Sequence, residues 1–208
     1  MNNYSLVLLP AVVVKRLCKC LYTYLYLPIK TFAICRLWRI NYGENVTFVG
    51  KTIVRTYEKG AITIGSNTRF VSARGMNLVG LVGPTILCAV KGGQIRIGDA
   101  SGLSSPVIHA RKRIDIGKNV NIGGNVRIFD HDFHALDWRD RRQPEKVEKI
   151  RVQPVVIEDD CFIGTNAIIL KGTHLGARTI VAAGSVVFGL DVPPDSMVKG
   201  NPAVIIKK

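Results

Sequence analysis

The chain has 208 residues, enough for one substantial domain and too few for two comfortable ones, so one main body with an appendage is expected. Hydrophobic residues make up 47% but aromatics only 7%, beside 20 glycines, which demands a core of Val, Ile, Leu and Ala in short strands with tight corners. Lys and Arg number 29 against 15 acidic residues, and the resulting net charge of +14 favours anionic partners; nucleic acid is not expected, because the basic residues form no compact motif and are not interleaved with stacking aromatics.

The first element, residues 1–42, is set apart by its charge. Lys15, Arg16, Lys19, Lys30, Arg36 and Arg39 stand among apolar residues, and no acidic residue occurs before Gly43. Pro10, Pro28 and the charges keep every apolar run well short of the roughly 18 to 20 residues that span a bilayer. A secretory signal is not expected either, since the positive charges follow the first apolar stretch instead of preceding it. The segment reads as basic amphipathic helix, with two uses open. It could lie on an anionic membrane surface with Tyr22, Tyr24, Tyr26 and Trp38 at headgroup level, or it could cap the open end of the body. The five cysteines, Cys18, Cys20, Cys35, Cys88 and Cys161, show no CxxC pair or metal spacing and read as reduced thiols of a cytoplasmic protein. The surface that the N-terminal segment would meet is then the inner face of the membrane.

From residue 43 to residue 208 the pattern is a repeat. Ile157, Ile163, Ile169, Leu175, Val181 and Val187 recur every six residues, and a small residue stands four places after each of the first five: Cys161, Ala167, Thr173, Thr179 and Ser185. The phrase Ile116-Gly117-Lys118-Asn119-Val120, repeated from Ile122, belongs to the same series, and weaker copies begin at Ile64-Gly65 and Ile97-Gly98. Six matches neither the 3.6 of a helix nor simple strand alternation. It fits a triangular coil with one aliphatic residue pointing inward from each side, the coils stacking at about 4.8 Å. The expected fold is therefore mainly β, a parallel β-helix of hexapeptide repeats with a short N-terminal helical segment. The register stops at 129–152, where Asp130, His131, Asp132, His134, Asp137, Trp138 and several arginines crowd together; a loop ejected from a rigid coil is a natural place for reactive side chains.

The phrase Ile128-Phe129-Asp130-His131-Asp132-Phe133-His134-Ala135-Leu136-Asp137, set between hexapeptides, resembles the catalytic loop of hexapeptide-repeat O-acetyltransferases, including maltose and galactoside acetyltransferases and the sugar acetyltransferases of capsule and exopolysaccharide synthesis. The ending, Ala182-Ala183-Gly184-Ser185, then Asp191-Val192-Pro193-Pro194, then Gly200-Asn201-Pro202-Ala203, is similar to that of the same family. The resemblance implies a left-handed coil, contrary to the usual right-handed crossover rule. It also implies acetyl-CoA as co-substrate, a saccharide hydroxyl as acceptor in glycan biosynthesis, and a homotrimer with active sites between neighbours.

Carried over residue by residue, the resemblance makes His134 the base, because His-Ala-Leu-Asp matches the family's His-Pro-Leu-Asp. Gly164, Ala183, Gly184, Ser185, Lys199, Gly200, Asn201 and Pro202 fall to the acetyl-CoA site. Phe162 departs from the tryptophan that many relatives carry before Ile-Gly. The chemistry agrees, since a sugar alcohol needs a base and imidazole is suited to the task near neutral pH. His131 is a second imidazole in the loop; Asp132, Asp130, Ser104 or Ser105 could orient the ring, and Asp130, Phe133, Trp138 and Ser105 are candidates for touching the acceptor. His109 and His174 are expected to be structural, His174 at a corner. No metal is expected. A zinc hydratase of the carbonic anhydrase type, drawing on His109, His131 and His134, is a rival on the same coil, and a non-catalytic scaffold is another.

Overall fold

From Asn41 onward the protein winds into a parallel β-helix, seen in a computed structural model that describes residues 4–207. Among these residues, three parallel sheets of seven, eight and six strands form the sides of the coil, and each strand pairs with the one a full turn later. The final pair, Ser196–Gly200 with Ala203–Lys207, closes the eight-stranded sheet as an antiparallel hairpin. Residues 1–3 of the expected N-terminal segment and Lys208 lie outside the described residues.

The six-residue period has two recurring causes at the corners. Three places after the inward aliphatic residue the backbone turns left-handed: Asn67, Asn119, Asn125, Asp160, Asn166 and Asp195 have φ between 54° and 61°. Asn and Asp tolerate that region because their short polar side chains bond locally, whereas a β-branched residue would be strained there. One place after the aliphatic residue, glycine is selected by contact. A Cβ on Gly164 would meet the Ala183 nitrogen at 2.5 Å, and one on Gly117 would meet the Asp159 nitrogen at 2.7 Å, both in the next coil. The aliphatic residues themselves stack in register through the centre, as Ile64, Ile97, Ile116, Ile157, Leu175 and Val192 do along the seven-stranded side. All six are essentially buried. Removing one such side chain to Ala costs about 2 to 5 kcal/mol in closely packed cores.

The N-terminal residues form helix α1 (Tyr4–Leu21), a π turn (Tyr22–Tyr26) and helix α2 (Leu27–Leu37). Helix α2 closes the first coil. Leu27, Thr31 and Cys35 are buried against it, the Phe48 N–H donates to Thr31 Oγ1 (3.4 Å), and Lys30 Nζ donates to the carbonyls of Phe48 (3.0 Å) and Gly50. Capping, one of the two uses open in the sequence, is what α2 does.

Two segments leave the coil. One, residues 130–154, follows strand Arg127–Phe129 and precedes strand Val155–Ile157. The other, residues 72–84, lies between strands Arg69–Val71 and Thr85–Ala89 and has no counterpart in the sequence reading.

Candidate active site

The longer loop is pinned where it leaves the coil. Asp130 follows the last residue of its strand and is fully buried, so its carboxylate must find donors inside the protein. It accepts the backbone N–H groups of Arg111 (2.8 Å), Lys112 (2.7 Å) and Arg113 (2.8 Å), which turn the corner of the preceding coil. A fourth contact runs from Asp130 Oδ1 to His131 Nδ1 at 2.8 Å. Burial alone would raise the Asp130 pKa, but the hydrogen bonds from His131 and the two nearest amides outweigh it and hold the group below its ordinary value. The loop then returns through a bridge between His131 and Val152, with Asp132 N–H on the Arg151 carbonyl (3.0 Å) and Gln153 N–H on the Asp130 carbonyl (2.9 Å).

With the carboxylate ionised, Nδ1 of His131 carries the proton and donates it to Asp130, leaving the Nε2 lone pair as the basic position. Aromatic rings hold the imidazole in place. His131 lies 4.9 Å from the His109 ring and 4.7 Å from Phe133, and Phe133 packs edge-on against Phe129 and His109, each at 5.1 Å. His109 sits beside Phe129 in register across the six-stranded sheet, with Cys88 on its other side. Burial, followed by the neighbouring His131, lowers the His109 pKa, and its Nδ1 is buried with no partner among the described residues. The sequence alone does not bring His109 to His131, because that register needs the coil length, which the insertions disguise.

The remaining loop residues are distributed differently from expectation. His134 is exposed and makes no hydrogen bond within the described residues, and Phe133 and Trp138 are exposed near it. Arg139 and Arg142 cover the Trp138 ring, each guanidinium 4.6 Å from its centre. Asp132 pairs with Lys171 Nζ at 2.5 Å and makes no hydrogen bond to an imidazole among the described residues. Asp130, sealed from solvent, is the loop carboxylate that meets an imidazole, at His131 Nδ1. Ser105 is buried at the opposite end of strand Val107–Ala110, and its hydroxyl donates to the Gly83 carbonyl (2.9 Å) of the shorter loop. His174 is on a strand rather than at a corner, held between Glu158 and Asp191 at 2.8 Å each.

The C-terminal candidates form a second group. Ala183 stacks on Gly164, and the Gly200 N–H donates to Ser185 Oγ (3.2 Å), bringing the turn of Lys199, Gly200, Asn201 and Pro202 beside Gly184 and Ser185. Gly184 has φ +70° with open space where a side chain would be. These residues lie where the eight-stranded side meets the six-stranded side, whereas His131 lies at the far edge of the six-stranded side. No group of three or more His, Cys, Asp or Glu with the geometry to hold a metal occurs among the described residues.

Residues 154–188 match the family described as the hexapeptide repeat of succinyl-transferase. The coil geometry and that match agree. The chain folds as a left-handed parallel β-helix of hexapeptide repeats. It is 38% identical over 92 residues to 2,3,4,5-tetrahydropyridine-2,6-dicarboxylate N-acetyltransferase of Staphylococcus aureus, a stretch covering 44% of this chain and 32% of the relative. It thus spans about a third of the curated relatives it matches. Among solved structures, a mutant of AntD, an N-acyltransferase from Bacillus cereus in complex with dTDP-4-amino-4,6-dideoxyglucose and coenzyme A, has a TM-score of 0.63 at 20% identity, covering 84% of this chain and 86% of that one. A hexapeptide-repeat acetyltransferase from Vibrio cholerae complexed with acetyl coenzyme A is 41% identical, covering 54% of this chain and 59% of that one, with a TM-score of 0.49.

Proposed function

We propose that the protein transfers an acetyl group from acetyl-CoA to a hydroxyl of a saccharide, with His131 as general base. The observation that carries this reading is the Asp130–His131 pair: a buried carboxylate, fixed by three backbone amides, holds one ring nitrogen protonated and leaves the other basic. In the step, Nε2 takes the hydroxyl proton while the oxygen attacks the thioester carbon. The C–S bond then breaks, and the CoA thiolate recovers the proton from the imidazolium. Burial lowers the His109 pKa, which disfavours a positive charge on that ring beside His131. This places the base three residues before His134, the position that the family resemblance suggests; the exposed His134 is left to contact the acceptor, with Phe133 and Trp138.

The acetyl-CoA site is assigned to Gly164, Ala183, Gly184, Ser185 and the Lys199–Pro202 turn, with Lys199 free to meet a phosphate. This group and His131 occupy different edges of one coil, so a pocket using both must be assembled from two copies, which supports a homotrimer. The six-stranded side offers a suitable flank: Ile53, Ile86, Val107, Ile168 and Val186 line up in register on its outer face, interrupted only by Arg127.

An acceptor panel tests the reaction. Release of CoA from acetyl-CoA would be followed with galactosides, a dTDP-linked amino sugar and tetrahydrodipicolinate. Turnover on the hydroxyl acceptor is expected; turnover confined to the amines would replace the O-acetyl reading with N-acetyl transfer.

A further inference from the structure

Capping the coil accounts for α2 and leaves α1 unexplained. Helix α1 leans on the π turn that follows it rather than on the coil, and Val13, Val14, Leu17 and Leu21 are each more than half exposed. A helix advances about 100° per residue, so these four fall within about 100° of arc. Lys15, Arg16 and Lys19 occupy a similar arc on the opposite face. Beyond the helix, Tyr24, Leu25, Tyr26, Ile29 and Phe32 continue the exposed apolar surface. No helix of the described residues is long and apolar enough to cross a membrane. An apolar face this size still has to be covered, because exposing it costs free energy in proportion to its area.

We infer that α1 lies in the plane of an anionic bilayer surface, its apolar face in the acyl boundary and Lys15, Arg16 and Lys19 toward the headgroups. Charge decides between this occupant and a second copy of the chain. Six cations and no acidic residue precede Gly43, so a second α1 would bring only like charge to the contact, whereas anionic headgroups neutralise it. Lys30 is not part of the footprint, because the coil's own carbonyls hold its ammonium. Tyr24 and Tyr26 suit the headgroup zone, where an amphipathic ring has both its environments. The coil is thereby held at the surface by its capped end.

The test uses the full-length protein and vesicles of phosphatidylcholine with or without phosphatidylglycerol, read by flotation. Binding is expected only to the anionic vesicles and is expected to weaken with salt. Replacing Lys15, Arg16 and Lys19 together by Gln should lower affinity by roughly a hundredfold, since each basic residue near such a surface contributes about fivefold. Leu17→Glu with Leu21→Glu should abolish flotation while the melting of the coil stays unchanged. No flotation by the native chain, or equal flotation by native and variant chains, overturns the inference. So does a change in particle mass by light scattering for the Leu variants without any change in vesicle binding, which would assign the face to a second copy.

Discussion

Replacing Asp130 by Asn separates the structural role of this carboxylate from its chemical one. The two oxygens are not equivalent: Oδ2 accepts from Lys112 and Arg113, while Oδ1 accepts from Arg111 and faces His131 Nδ1. An amide placed with its oxygen on the Lys112–Arg113 side sets its NH₂ against one backbone donor; the flipped amide would set it against two, so the first orientation wins. In that orientation the NH₂ faces His131 Nδ1 and can donate to it, which moves the ring proton to Nε2 and removes the basic lone pair from the reacting position. One charge-assisted contact is lost and one donor clash gained, a cost of about 2 to 4 kcal/mol when hydrogen bonds to charged groups contribute about 1.5 to 3 kcal/mol each. The coil should survive, while kcat should fall by roughly 10²-fold to 10⁴-fold, the scale of a wrong tautomer or a lost base. Asp130→Ala, which strands all three amides, should cost more, about 3 to 5 kcal/mol. Circular dichroism melts give the stability, and thioester cleavage with a competent acceptor gives kcat. A folded Asp130→Asn protein that turns over at the native rate would refute the proposed role of the pair.

The Asp130 carboxylate also has a pH signature. Its folded pKa is depressed, so its contribution to stability is present above the unfolded value of about 3.9 and fades as pH falls through the folded value; the Asn variant should lose that acid dependence in melts. His174 has the opposite sign. The Glu158 contact, chiefly, and then Asp191 raise its pKa, so its contribution is complete below about 6.5 and is lost as pH rises through the folded value, and His174→Gln should flatten that slope. If His131 is the base, His131→Ala should lower kcat by about 10²-fold or more with acetyl-CoA affinity unchanged, and His134→Ala should cost about tenfold or less; the reverse order would restore His134 as the base. Ile128→Ala, in the centre of the coil, should lower stability by about 2 to 5 kcal/mol, as chemical denaturation would show.

The coil was legible because its determinants are local. An inward aliphatic residue, a glycine against the next corner and an Asn or Asp in the left-handed region all lie within four residues of one another, so the period shows directly in the sequence. Residues 72–84 are not legible in the sequence for the same reason. Their glycines mark only a break, while what holds them, Val82 N–H on Asn125 Oδ1 (3.0 Å) and the Ser105 hydroxyl on the Gly83 carbonyl (2.9 Å), depends on residues up to 43 positions away. The same limit governs the site. Two histidines and three aspartates within a few residues identify a reactive loop but do not rank them, because burial and partners decide which imidazole is basic. His131 gains its orientation from amides at 111–113 through Asp130, and its ring neighbour from position 109, contacts that require two turns of coil to be closed first. Asp132 shows the converse: it is adjacent to His131 in sequence, yet its carboxylate goes to Lys171, 39 residues on, a contact that closes only once the loop has returned through the bridge to Val152.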